Sequence, residues 1–90
     1  MKKYKVLFSE RFLKELHKFD KSISKMLLSW IKKNLIDCEN PRIKGKQLRG
    51  TLSNFWRYRI GDYRLLCEIK DDVLVIIVVA AGHRKDVYKV

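Results

Sequence analysis

The chain is a short basic sequence of 90 residues, with a formal net charge of +11 at pH 7 and a hydrophobic fraction of 47%. This length predicts a single domain, residues 1–90, with enough apolar residues for a core but a thin margin of stability. The excess positive charge favours binding to polyanions, so the expected partners are nucleic acid, an acidic protein or an anionic membrane surface. The longest apolar run, Val73–Ala81, is far short of the roughly 18 residues that a membrane helix needs.

Cysteine and histidine usage excludes several classes of protein. Cys38 and Cys67 show neither a disulfide framework nor CxxC spacing, and two histidines are too few for a metal-site pattern. The N-terminal residues lack the apolar segment of a signal peptide. We therefore expect a cytoplasmic protein without a metal, a cofactor or a membrane association.

The first half of the chain predicts one strand and two helices. Lys3–Phe8 alternates between polar and apolar side chains, which is typical of a strand. Ser9 can cap a helix whose apolar residues recur at helical spacing up to Phe19. A second apolar stripe, Ile23–Leu35, predicts another helix, which ends before Pro41 because the residue preceding a proline disfavours helix. The two helices are predicted to form a helical hairpin.

The second half of the chain predicts strands. Phe55–Ile60 and Tyr63–Lys70 alternate, and Val73–Ala80 is apolar on both faces, as expected of a central strand. A short polar segment, GHRKDVYKV, follows. The order β-α-α-β-β-β predicts an α+β domain, in which two N-terminal helices pack on a mostly antiparallel four-stranded sheet.

The stretch FWRYRIGDYR predicts a hairpin with three arginines on one face. Glycine first in the pair Gly61–Asp62 favours a two-residue type II′ turn. In that register Arg59 lies opposite Arg64, and strand alternation places Arg57 on the same face, away from the helices. Like charges directly opposite each other destabilise a hairpin by up to about 1 kcal/mol, and such local conflicts are typical of functional sites. Because the arginine fork donates paired hydrogen bonds to phosphate, the pattern predicts a phosphate-binding face, with a solvated face as the alternative.

The connection NPRIKGKQLRG adds further basic residues before the hairpin. A loop rich in lysine, arginine and glycine can contact a phosphate backbone, although for the loop taken alone a solvated surface is the favoured interpretation. The candidate RNA-binding residues are therefore Lys44, Lys46, Arg49, Arg57 and Arg59.

The C-terminal segment carries three more candidates. His83 can move a proton near neutral pH, Arg84 can stabilise charge on a phosphate, and Tyr88 can donate a hydrogen bond or stack on a base. With the arginines, these groups suit cleavage of RNA by attack of its own 2′-hydroxyl. That reaction needs a base, an acid and cations around the phosphate, and it proceeds without a metal.

The chain resembles toxins of the RelE/ParE superfamily from bacterial type II toxin–antitoxin systems, in particular the RelE-like branch. Three stretches carry the resemblance, which covers nearly the whole chain: FSERFLKELHKF, WRYRIGDYRLLCEI and VVAAGHRKDVY. The resemblance implies a RelE-like fold and a small toxin that inhibits translation by cutting mRNA in the ribosomal A site. It also implies a cognate antitoxin that silences the toxin in a hetero-oligomeric complex.

The resemblance also implies roles for single residues. Arg64 matches the family's phosphate-binding hairpin arginine, Arg84 matches an arginine associated with the leaving group, and Tyr88 matches a tyrosine that positions the substrate. Arg57 stands where RelE-like relatives can use lysine as the base, but arginine stays protonated in proteins. We therefore expect His83 to act as acid or base.

Lys46 is a second candidate for the base of the nuclease, in place of His83. Two functions other than the nuclease also stay open. ParE-like members of the superfamily poison DNA gyrase and generally lack the catalytic residues. A third possibility is a module that binds RNA or the ribosome through the same basic face without chemistry.

Overall fold

The computed structural model describes residues 2–83 and shows two helices packed on one face of a five-stranded sheet. Neither helix is long and apolar enough to cross a membrane. The elements are β1 (Lys5–Phe8), α1 (Glu10–Lys18), α2 (Lys21–Asn34), β2 (Lys46–Gln47), β3 (Phe55–Ile60), β4 (Tyr63–Lys70) and β5 (Val75–His83). The sheet order is β1-β5-β4-β3-β2, with β1 parallel to β5 and the remaining pairs antiparallel.

The α+β class and the helical hairpin are confirmed, but the predicted count of four strands is wrong. The additional strand is β2, which pairs with β3 through Lys46 opposite Arg57 and Gln47 opposite Trp56. A strand of two residues is too short to produce a periodic pattern, so no local signal predicts it.

The last strand begins later and ends later than predicted. Residues 71–74 form a turn in which Leu74 has a left-handed φ of 54°, so β5 begins at Val75 rather than Val73. The strand then continues past Ala80 to His83, which therefore belongs to the sheet rather than to a polar tail.

The core lies between the helices and the sheet. Ser9 caps α1 as predicted, because its side-chain oxygen accepts a hydrogen bond from the Phe12 amide at 3.1 Å. Each buried aliphatic or aromatic side chain of this layer contributes roughly 1.5–3 kcal/mol by leaving water. The fully buried side chains of the layer include Phe12, Leu27, Ile31 and Leu35 from the helical side and Tyr58, Leu65, Cys67, Ile76 and Val78 from the sheet.

The end of β5 is held by α1 rather than by a neighbouring strand alone. The β4–β5 register shifts between Leu66, which pairs with Ala80, and Cys67, which pairs with Val78. Just beyond β1, the Ser9 amide donates to the Val78 carbonyl at 3.0 Å, and the Ser9 hydroxyl donates to the Val79 carbonyl at 2.7 Å. Six residues after Ser9, the Glu15 carboxylate accepts a hydrogen bond from the Ala81 amide at 3.0 Å. These contacts fix the strand segment that leads to His83.

The connection between α2 and β2 packs closely on β3. A Cβ atom at Gly45 would lie 2.8 Å from Cε1 of Tyr58, so no larger residue fits unless the ring moves. That ring is fully buried, and its hydroxyl donates to the Pro41 carbonyl. Gly45 therefore lets the chain come near enough to β3 for β2 to form.

A polar cluster fastens the same connection to the β4–β5 turn. The Arg42 guanidinium donates two hydrogen bonds to Asp71, at 3.0 and 2.8 Å, and lies 5.4 Å from the ring centroid of Trp56. The Tyr4 hydroxyl donates to the same carboxylate at 2.7 Å. The hydrogen bond from Arg42, followed by that from Tyr4, lowers the pKa of Asp71 to about 2.

Replacing Asp71 by asparagine should lower the thermal midpoint modestly at pH 7 and by much less near pH 2. A depressed pKa means that this carboxylate stabilises the fold fully above its ordinary pKa of 3.8 and progressively less as the pH falls through about 2. The carboxylate is exposed, so salt should also shrink the difference. Thermal unfolding of the wild type and of Asp71→Asn from pH 2 to pH 7 checks this, with Asp72→Asn as the control. A difference that persists unchanged at pH 2 would contradict it.

Candidate nucleic-acid interface

The predicted hairpin register is confirmed, and it places the arginines on the face of the sheet opposite the helices. Ile60 pairs with Tyr63 across the turn, and Gly61 has a φ of 59° whereas Asp62 has no positive φ, as a type II′ turn requires. Arg59 lies directly opposite Arg64. Side chains on facing residues share a face of the sheet, so β3 and β4 present both arginines together.

We call this surface the arginine face, defined by Lys46, Arg57, Arg59 and Arg64. Lys46 belongs to it because it pairs with Arg57 across the β2–β3 ladder. Arg59 and Lys46 are exposed, whereas Arg57 and Arg64 are partly buried. The arrangement brings four cations from three adjacent strands onto one surface, which suits binding of an extended polyanion.

The arginine face also has an apolar floor, which the sequence analysis did not predict. Leu66 and Ala80 are fully buried there, and Leu48, Phe55 and Val79 pack against them. The pattern that could have revealed it is the apolar character of β5 on both faces, since a strand that is apolar on both faces needs cover on both. The cations therefore surround an apolar patch rather than stand on a fully solvated surface.

Charge is distributed unevenly along this face. Glu68 lies on this face opposite Phe55, and its carboxylate lies 3.0 Å from the Lys70 ammonium two residues further along β4. Glu68 pairs with Phe55, whereas the arginine pair Arg59 and Arg64 lies four residues away, beside the turn. The end near the turn is consequently the more positive one and the better place for a phosphate.

His83 is at the correct end of the sheet, but its ring is on the other face. His83 pairs with Tyr63, and the two rings meet edge to face with centroids 5.3 Å apart, on the helical side. Its predecessor Gly82 pairs with Arg64. His83 thus lies near the arginines along the chain, but strand alternation turns its ring to the helical face because β5 extends to His83.

Of the other predicted residues that the structure describes, Lys44 lies towards α2 and Arg49 lies in a loop. The Lys44 ammonium donates to the Asn34 side chain near the end of α2. Arg49 is exposed in the loop from β2 to β3, where it precedes the short 3₁₀ turn Gly50–Leu52. Arg84 and Tyr88 lie outside the described residues. Within residues 2–83, no group of three His, Cys, Asp or Glu side chains could hold a metal ion.

Neither thiol is poised as a nucleophile. Burial raises the pKa of the Cys67 thiol, which has no exposed surface, and burial also raises the pKa of the partly buried Cys38. The thiolate is the reactive form of cysteine, so raised pKa values make both groups inert near neutral pH. The arginine face can therefore bind an anion through its positive side chains, without a reactive thiol.

Comparison with known proteins shows the class to which this α+β domain belongs, toxins of type II toxin–antitoxin systems. The model of the ParE toxin family of the type II toxin–antitoxin system parDE matches residues 6–88. The chain therefore belongs to this family, within the RelE/ParE superfamily.

Individual relatives bear RelE names. An Escherichia coli protein named as RelE-like is 38% identical over 89 residues, which cover 96% of this chain and 90% of the relative. The mRNA interferase toxin RelE of Escherichia coli K12 is 34% identical over 80 residues, covering 87% of this chain and 80% of the toxin. A chain of a RelBE toxin–antitoxin complex from Mycobacterium tuberculosis superposes with a TM-score of 0.83 at 29% identity, covering 91% of this chain and 99% of that one.

Proposed function

We propose that this toxin is a ribosome-dependent endoribonuclease, which cuts mRNA by attack of the 2′-hydroxyl and so inhibits translation in the cytoplasm. The observation that carries the proposal is the arginine face, where Arg57, Arg59, Arg64 and Lys46 surround an apolar floor. The 34% identity to a toxin named mRNA interferase adds support. Proteins place like charges together at a cost in stability, and a bound phosphate removes that cost.

The arginines would act on the scissile phosphate as fixed cations. In the proposed reaction the 2′-oxygen loses its proton and attacks phosphorus, the bond to the 5′-oxygen breaks, and that oxygen receives a proton. The products are a 2′,3′-cyclic phosphate and a free 5′-hydroxyl. Charge accumulates on the phosphoryl oxygens as the new bond forms, and paired guanidinium hydrogen bonds from Arg64 and Arg57 would stabilise it. DNA lacks the 2′-hydroxyl and cannot follow this route.

Two side chains can supply the proton transfers. Lys46 shares the arginine face and lies opposite Arg57. His83 adjoins the site through Gly82, but its ring contacts Tyr63 on the other side of the sheet. We propose that His83 is the acid or base in the substrate complex. This role requires its exposed ring to leave Tyr63 and turn towards the arginine face when RNA binds. Catalytic hydrogen bonds often form only in the complex with substrate.

Replacing His83 by glutamine should lower the cleavage rate by about 10²–10⁴-fold and flatten its dependence on pH near neutrality. The measurement is single-turnover cleavage on programmed ribosomes between pH 5.5 and 8.5. His17→Gln is the matched control, since His17 is exposed on α1. If His83→Gln keeps both the wild-type rate and the wild-type pH profile, proton transfer belongs to another group, and Lys46→Gln is the variant to test next.

The proposed partners are mRNA in the ribosomal A site and a cognate antitoxin. The similar chain from Mycobacterium tuberculosis was solved in a toxin–antitoxin complex, which supports an antitoxin for this toxin too. A net charge of +11 favours an antitoxin that is acidic where it meets this toxin. The two proteins together would form a hetero-oligomer without activity.

Primer extension on mRNA from a translating extract tests the function. We expect cuts in phase with codons for the wild type and none for an Arg64→Ala/Arg84→Ala double variant. Intact mRNA with the wild-type toxin would contradict the nuclease proposal.

One observation favours a second function. The matching family model takes its name from ParE toxins. The resemblance to the ParE-like branch implies inhibition of DNA gyrase as the alternative function. A supercoiling assay with purified gyrase distinguishes the two functions. Inhibited supercoiling together with intact mRNA would establish the gyrase function.

A further inference from the structure

Phe55 lies on the arginine face in line with two arginines. It is the first residue of β3, and strand alternation places it on the same face as Arg57 and Arg59. Its ring packs on the apolar floor formed by Leu66 and Ala80 and remains partly exposed. An aromatic surface therefore continues the row of cations at the end remote from the turn.

The charges around Phe55 make its surroundings unsuitable for a phosphate. Its partner across the β3–β4 ladder is Glu68, whose carboxylate lies 3.0 Å from Lys70. The next residue of β3 on the same face is the cation Arg57. Along β3 the surface therefore changes from cations, which favour a phosphate, to the Phe55 ring, on which an uncharged base can stack.

The spacing along β3 corresponds to neighbouring groups of one RNA strand. Residues i and i+2 of a strand are about 6.7 Å apart, which is close to one extended nucleotide step. Single-stranded nucleic acids are typically bound by cations that follow the backbone and aromatic rings that stack on the bases. A phosphate at Arg57 and Arg64 would leave an adjacent base within reach of the Phe55 ring.

We propose that Phe55 is a base-stacking residue, which holds a nucleobase of single-stranded RNA beside the phosphate bound by the arginines. The inference rests on the proposed function in taking RNA as the ligand, and it adds a binding contact for the base that the cations cannot provide. Stacking tolerates every base, so Phe55 would contribute affinity and strand position rather than recognition of one sequence.

The test uses the full-length toxin and a short single-stranded RNA that carries 2′-O-methyl groups, so that it binds without being cut. Phe55→Leu keeps an apolar side chain on the floor but removes the aromatic surface. We expect it to raise the Kd at low salt about fivefold or more, since stacking losses are substantial for each base. Phe55→Tyr should stay within about twofold of the wild type. The matched control is Phe8→Leu, because Phe8 is an exposed phenylalanine of β1 that contacts Phe12 on the helical side.

A second set of RNAs separates stacking from a merely structural role. Each RNA of this set lacks the base of one nucleotide, at a different position in each RNA. For the RNA that lacks the stacked base, the wild type and Phe55→Leu should have equal Kd values. Equal affinities of wild type and Phe55→Leu for the intact RNA would overturn the inference, as would a loss that is the same for every abasic RNA. Absence of any binding by the wild type would overturn it too. Binding that behaves as expected, together with intact mRNA in the translating extract, would reject the nuclease function and leave the stacking contact standing.

Discussion

Replacing Arg64 by alanine should lower the rate of mRNA cleavage by about 10²–10³-fold, the usual effect of removing one group that stabilises transition-state charge. Arg64 lies directly opposite Arg59 and pairs with Gly82 on its other side, so it occupies the middle of the positive end of the face. A phosphate there would contact guanidinium groups from two strands. The measurement is the single-turnover rate on programmed ribosomes with saturating toxin.

Two further variants separate charge from geometry and from stability. Arg64→Lys keeps the positive charge but loses the planar fork, so we expect an intermediate rate. Lys32→Ala removes one charge from the exposed side of α2 and should leave the rate unchanged. The thermal midpoint of each variant is measured beside its rate. A folded Arg64→Ala toxin that cuts mRNA at the wild-type rate would contradict the role of the arginine face.

Replacing Phe12 by alanine should lower the free energy of unfolding by about 3–5 kcal/mol. Phe12 has no exposed surface, and its ring lies 5.3 Å from that of Phe8, between α1 and the sheet. Small domains are stable by only about 5–15 kcal/mol in total, so the variant should lose a large part of its stability. Urea unfolding of purified toxin measures the change.

The neighbouring residue provides the control for Phe12. Leu13 follows it in α1 and is 44% exposed, so Leu13→Ala should lower the free energy of unfolding by far less. Losses of similar size at the two positions, or a loss below about 1 kcal/mol for Phe12→Ala, would contradict the packing described for α1.

The hairpin was predictable because two local rules agreed on one register. Turn chemistry at Gly61–Asp62 and the alternation of apolar and basic residues each fixed the same pairing, and a shift by one residue would have buried arginines. The bounds of β3 and β4 and the shared face of Arg57, Arg59 and Arg64 follow directly. Where the local pattern and the burial of side chains agree, the sequence was sufficient to predict the register.

The errors lie where structure depends on contacts that are distant in sequence. The strand β2 forms because Gly45 fits against Tyr58, which no local pattern shows. His83 was grouped with the arginines as a catalytic candidate because it lies beside Arg84 in sequence. The strand β5 continues through Gly82 to His83, so the His83 ring lies on the other face of the sheet. Lys44 faces α2 rather than the arginine face because Asn34 accepts its hydrogen bond. The order of residues in the sequence predicted the end of the sheet at which His83 lies. It did not predict the face to which the side chains of His83 and Lys44 belong.

The attachment of α1 to β5 also has a consequence for how the molecule opens. The Ala81 amide donates to Glu15 of the helix, and Ser9 at the helix start binds the carbonyls of Val78 and Val79. Exchange of the Ala81 amide hydrogen with solvent therefore requires the Glu15 side chain to release it, and we expect this strand end and α1 to unfold as one cooperative unit. Another protein that shifts α1 would consequently disturb the strand beside Arg64 without covering a single arginine.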